Sequence, residues 1–177
     1  MSSLNKGLAK VEVAVRWDPS PRGEPDHDLD LVAATYSAAD TRGTPAYLVH
    51  FDSRSPDGTI TLNRDSRTGQ GFGYDEVMTL ELDRLSESYT RVLVGVAIQQ
   101  QGKQLTFGQV RGTGLRIRAA DGTDLVTDDL AAVAGATAAV VAEFTRDESG
   151  AWQFRPGAHG FDTDPASFGR VMGSATL

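Results

Sequence analysis

A chain of 177 residues with 40% apolar side chains is long enough to fold as a single domain over residues 1–177 and to bury its own core without covalent staples. It has no cysteine, which excludes disulfides and thiolate sites for zinc or iron–sulfur clusters. Its net charge of −7 argues against a phosphate-backbone ligand, because such binding needs a surplus of Lys and Arg. The opening residues, MSSLNKGLAKVEV, lack an apolar stretch of signal-peptide length, and no window reaches the length of a membrane span. A cytoplasmic, soluble protein is therefore expected.

Hydrophobic residues recur with a period of two. In residues 10–17, Val11, Val13, Val15 and Trp17 alternate with Lys10, Glu12, Ala14 and Arg16, the pattern of a strand with one wet face. Residues 29–36, 46–51, 59–62, 77–82, 92–98, 115–119, 138–145 and 152–155 follow the same grammar, several rich in Val, Ile and aromatics. The turn signals Pro56-Asp57-Gly58, Asp121-Gly122 and Glu148-Ser149-Gly150 predict hairpins. Residues 18–26, DPSPRGEPD, predict a long surface loop. Helical signals are confined to residues 82–89, 104–110, 128–134 and 165–172, the last with Pro165 at a first turn. About nine short strands without strand–helix alternation predict an all-β fold, a two-sheet antiparallel β-sandwich with a few short helical turns.

The least generic stretch is 55–76, SPDGTITLNRDSRTGQGFGYDE. Asp65 and Glu76 match the first and last ligand positions of an EF-hand loop, but Arg67, Gly69 and Gln70 occupy the middle positions, so it is not an EF-hand. Calcium still takes several hard oxygens, and Asp65, Ser66, Asp75, Glu76 and the carbonyls of a glycine-rich loop offer them; a solvated hairpin loop carries the same residues. Upstream, Asp28-Leu29-Asp30-Leu31 places two carboxylates on one face of a strand about 7 Å apart, with both leucines on the other face. A nearby cation would relieve their repulsion; an exposed polar face is the plainer reading.

Catalytic signals are weak. His27, His50 and His159 lie outside any nucleophile elbow, zinc-helix motif or phosphate loop, and Ser55 has no flanking base. Arg111, Arg116 and Arg118 form the one local basic cluster, read as a solvated strand face.

The segments LNKG, VAVRWD, DLDL, SPDGTITLNRDSRTGQGFGYDE, FGQV, AAVVAEFTRD and GAWQFRPGAHGF, collinear along the chain, resemble the TerD family of tellurium-resistance and stress-response proteins, bacterial all-β calcium-binding domains. The resemblance implies two antiparallel sheets and a non-enzymatic calcium protein that works through contacts with other proteins of a stress or tellurite-resistance system. Its implied metal ligands are Asp28 and Asp30 from the strand, then Asp65, Ser66, Arg67 and Gly69 from the loop, then Asp75 and Glu76, with Arg67 and Gly69 contributing only carbonyls. Family members commonly carry acids where Phe72 and Tyr74 stand, which implies one calcium site here and weakens a second. The same two aromatics make the loop a candidate contact surface, whose plainer reading is packing against neighbouring strands. The alternatives are a calcium-stiffened module for a protein or glycan ligand, and a hydrolase.

Overall fold

The structure is a computed structural model that describes residues 7–177; residues 4–6 of the LNKG segment lie outside the described residues. The strands are β1 (Val11–Arg16), β2 (Leu29–Ser37), β3 (Tyr47–Val49), β4 (Ile60–Arg64) and β5 (Glu76–Leu80). They continue as β6 (Tyr89–Ile98), β7 (Gly114–Ala119), β8 (Asp124–Asp128), β9 (Ala138–Arg146) and β10 (Trp152–Phe161), followed by the helix α1 (Pro165–Val171). Two five-stranded sheets result, in the orders β4-β5-β1-β7-β8 and β10-β9-β6-β2-β3, and every pairing within them is antiparallel. The two sheets enclose one apolar core, as the period-two pattern predicts.

Strand faces follow the sequence. Val11, Val13 and Val15 of β1 are fully buried between the sheets, while Glu12 and Arg16 turn outward. The central strands β2 and β6 are buried on both faces and read as nearly continuous apolar runs. Their second face is covered by Phe168, Met172 and Ala175 of the C-terminal segment, which build a separate apolar cluster with Val32, Ala34 and Leu93. Gly95 makes room for this cover, because a Cβ there would run into the Phe168 ring. α1 starts where Asp164 accepts a hydrogen bond from Ser167 N at 2.7 Å and Pro165 takes the first turn.

Four local expectations change. β8 was not expected: its short run, Asp-Leu-Val-Thr-Asp, has acids at both ends and is completed only by pairing with β7. Pro56-Asp57-Gly58 does not close a hairpin, since β3 and β4 belong to different sheets; the turn carries the chain across the sandwich. Residues 82–89, 104–110 and 128–134 hold only 3₁₀ turns, at Leu82–Arg84, Phe107–Gln109 and Ala131–Val133. β10 runs past residue 155 to Phe161, with a register irregularity between Pro156 and His159.

The C-terminal cover is fastened from below by Arg91 of β6, 4% exposed. Its Nε donates to Glu143 Oε2 at 2.7 Å, Nη1 donates to the carbonyls of Thr41 and Gly173 at 2.7 Å each, and Nη2 donates to Ala175 O at 3.1 Å. Removing one partner of a buried ion pair strands the other. Arg91→Ala is predicted to lower unfolding stability by about 3–5 kcal/mol in chemical denaturation. Amide exchange in residues 171–177 should accelerate more than in β9. An unchanged denaturation midpoint would refute this role.

Candidate metal centre

The cluster forms where β2 outruns its neighbour. β3 pairs only with Ala33 to Thr35, so the N–H of Leu31 on that side has no ladder partner. Glu76, the first residue of β5 in the other sheet, supplies one: its Oε1 accepts from Leu31 N at 2.8 Å. This hydrogen bond spans the two sheets and brings Glu76, fully buried, beside Asp28 and Asp30. One carboxylate oxygen from each of the three lies within 4.8 Å of the others, a spacing that one ion at about 2.4 Å from each can bridge. Asp30 Oδ2 is oriented by Gln99 Nε2 at 2.6 Å, and Gln99 is placed by its own N–H bond to Asp28 O at 2.8 Å.

The electrostatics are those of acids without enough counter-charge. Burial and the nearby charges of Asp30 and Asp65 push Asp28 up to about 7. Burial pushes Asp30 up as well, against the Gln99 hydrogen bond. Burial, together with the nearby Asp65 and Asp30 carboxyl groups, pushes Glu76 up to about 11. Among the described residues, Asp28 Oδ1 and Glu76 Oε2 are buried without hydrogen-bond partners. Such atoms are costly to leave unpaired, and a hard divalent cation is the partner that suits carboxylate oxygens. The residues therefore fit calcium.

The expected ligand set is only partly gathered. Asp28, Asp30 and Glu76 meet, while Asp65 is exposed and outside that cluster, its charge acting on all three. Ser66 Oγ accepts from Gly69 N at 3.1 Å, which tightens the loop just beyond Asp65. Arg67 is exposed, and its charge acts on Asp28 from the periphery. Gly69 has φ +76, and a Cβ there would stand 2.6 Å from Trp17 Nε1, so the loop packs on the indole only because this residue is glycine. Asp75 is placed apart from the three. Adjacent residues in an extended chain face opposite ways; its Oδ2 accepts from Trp17 N at 2.8 Å, and its charged neighbours are Arg64, Asp18 and Arg16. The aromatics divide likewise. Tyr74 lies under the Arg116 guanidinium, 4.3 Å from its ring centroid, while Phe72 is 97% exposed.

Gln99, Leu31 N and Trp17 are parts of the centre that sequence reasoning missed. Trp17 Nε1 donates to His27 O at 2.6 Å, so one residue links the strand entering β2, the loop and Asp75. Arg116 and Arg118 lie on a strand face, paired with Glu12 and Asp124.

A two-sheet sandwich with an acidic cluster bridging its sheets defines a small all-β protein class. The chain belongs to the TerD family: the TerD domain matches residues 1–168. A tellurium resistance protein TerD of Alcaligenes sp is 30% identical over 158 residues, spanning 88% of this chain and 82% of that one. The uncharacterized protein YceE of Bacillus subtilis (strain 168) is 28% identical over 98% of this chain and 92% of its own. A crystallised protein of unknown function superposes with TM-score 0.94 and 61% identity, over 97% of this chain and 100% of that one. A crystallised homologue of the telluride resistance protein TerD from Streptomyces coelicolor A3(2) gives 0.93 and 55%, over 96% and 100%.

The raised carboxyl groups fix the sign of a pH effect. Unfolded, they titrate near 3.8 for Asp and 4.5 for Glu; folded, they hold protons to about 7 at Asp28 and about 11 at Glu76. Between those limits the folded state binds more protons, so its stability falls as pH rises. Asp28 contributes to the fall until about 7, and Glu76 beyond neutrality. The thermal midpoint of chelator-treated protein is predicted to drop from about pH 5 to about pH 8, and saturating calcium should flatten that slope. A slope equal with and without calcium would contradict it.

Proposed function

We propose that this chain is a calcium-binding, non-enzymatic member of the TerD family that serves tellurite or stress resistance through contacts with other proteins. One observation carries the calcium reading: the carboxyl groups of half-buried Asp28 and of buried Asp30 and Glu76 converge while, among the described residues, Asp28 Oδ1 and Glu76 Oε2 have no partner. Asp28, Asp30 and Glu76 would hold the ion, with Asp65 closing from the loop. Bound there, calcium supplies positive charge and nothing redox-active. It would tie β2 of one sheet to β5 and the loop of the other, replacing repulsion with a cross-sheet link.

The resistance role rests on relatives that bear the name tellurium resistance protein TerD. The non-enzymatic reading is supported by what the candidate catalytic groups do instead. Ser55 Oγ bonds to Ile60 O at 3.1 Å and closes the turn before β4. His50 Nδ1 accepts from Asp52 N at 3.1 Å, and His159 Nδ1 accepts from Thr176 N at 3.1 Å. None of these hydrogen bonds joins a nucleophile to a base.

Calorimetric titration of metal-stripped protein with calcium is predicted to show saturable binding. Asp30→Asn or Glu76→Gln should weaken it by a factor of about ten to one hundred or abolish it, because affinity follows ligand charge. Asp75→Asn should leave this site's affinity unchanged, since that carboxylate faces Trp17. No heat at millimolar calcium, with the protein shown to be folded, would sink the proposal.

A further inference from the structure

Phe72 is 97% exposed, in contrast to Tyr74 two positions on. It stands between Gly71 at φ +112 and Gly73 at φ +75, a backbone that holds the ring away from the sheet. Two exposed guanidiniums flank this tip. Arg16 borders the same depression as Phe72, and an Arg64 Nη2 lies 3.4 Å from where a Gly71 Cβ would stand. Among the described residues neither forms an ion pair. Asp18 shares the depression and Asp75 is buried beneath it, so the outward face of the tip is an aromatic ring set between arginines. Exposed aromatic and arginine side chains are the composition of an interface anchor.

A surface of opposite character lies elsewhere on the same molecule. Between β3 and α1 is a cleft of about 580 Å³ whose floor includes Val32, Leu48 and Pro165 and whose edge carries Asp52 and Asp164. Asp30 contributes its inner wall, and among the described residues no Lys or Arg lines it. Its histidine, His50, has Nδ1 engaged by Asp52 N at 3.1 Å. Asp164 stays ionised because hydrogen bonds from Ser167 at the start of α1 hold its carboxyl below the usual range. The cleft and the Phe72 depression share no residue.

We propose that this chain associates with a second copy of itself head to tail, Phe72 of one copy entering the acidic-edged cleft between β3 and α1 of the next. The ring meets the apolar floor, and Arg16 and Arg64 meet Asp52 and Asp164. Because the two surfaces differ, the contact is heterologous and repeats along a ring or an open chain rather than closing as a two-fold dimer. A single ring and two surface charge pairs make it weak and salt-sensitive.

Sedimentation velocity over a wide range of protein concentration, in calcium, tests this. Wild type should associate reversibly, and less so at high salt. Phe72→Asp should weaken association by about tenfold or more, and so should Ala166→Arg, which puts a cation at the cleft. Both positions are exposed, and unchanged melting curves will show that both variants fold. Mixed together, the two variants should restore one heterologous contact and give a dimer that grows no further. The proposal is overturned if wild type stays monomeric throughout, if Phe72→Asp associates like wild type, or if the mixture yields no dimer. Wild type that stays monomeric while Phe72-dependent binding to anionic vesicles appears would also overturn it, and would assign the ring to lipid.

Discussion

Glu76 is a carboxyl group at 0% exposure set where the two sheets meet, and the fold around it is arranged to make that tolerable. A buried unpaired charge is among the most destabilising things a protein can contain. Here one oxygen is satisfied by Leu31 N, available because β3 stops short. The other oxygen faces further acids. Holding Glu76 there requires Leu31 to be placed by the β2–β6 register, and that same register sets Gln99 beside Asp28. It also requires the loop after β4 to fold back over Trp17, which Gly69 permits.

The consequence is a centre whose protonation and sheet packing are one thermodynamic system. Ordinary core packing lies elsewhere, in the valines of β1 and the double-faced apolar strands β2 and β6. Those strands are closed from outside by the C-terminal segment and locked by Arg91. The acidic centre can therefore be electrostatically poor without the sandwich losing its scaffold.

Most of the architecture was legible in the chain because period-two alternation is a local signal. Val11, Val13 and Val15 announce a half-buried strand whatever their neighbours do. β8 escaped because five residues ending in acids carry little local preference and acquire strand geometry from β7. At the centre, Asp28, Asp30 and Glu76 were suggested by residue type and by family resemblance. Their convergence depends on which strands lie side by side. Gln99 and Leu31 N gave no signal at all, since their roles come from register and from the length of β3. Residue type and family resemblance put Asp75 beside Glu76 among the ligands, and strand alternation sends the two to opposite sides. Phe72 and Tyr74 are two residues apart, yet Arg116 from β7 captures only Tyr74.

The irregularity in β10 has a bearing on how this molecule can meet others. β10 is the edge of its sheet, and an edge of ten residues, occupied at Trp152 by Gly7 and Leu8, leaves beyond that point a row of backbone donors and acceptors that invites another strand. Pro156 has no N–H to offer, and the break in register between it and His159 bends the edge out of line. Growth of the sheet from molecule to molecule is blocked along that border. Recognition is left to side chains carried on turns, where specificity can be written residue by residue without extending the sheet itself.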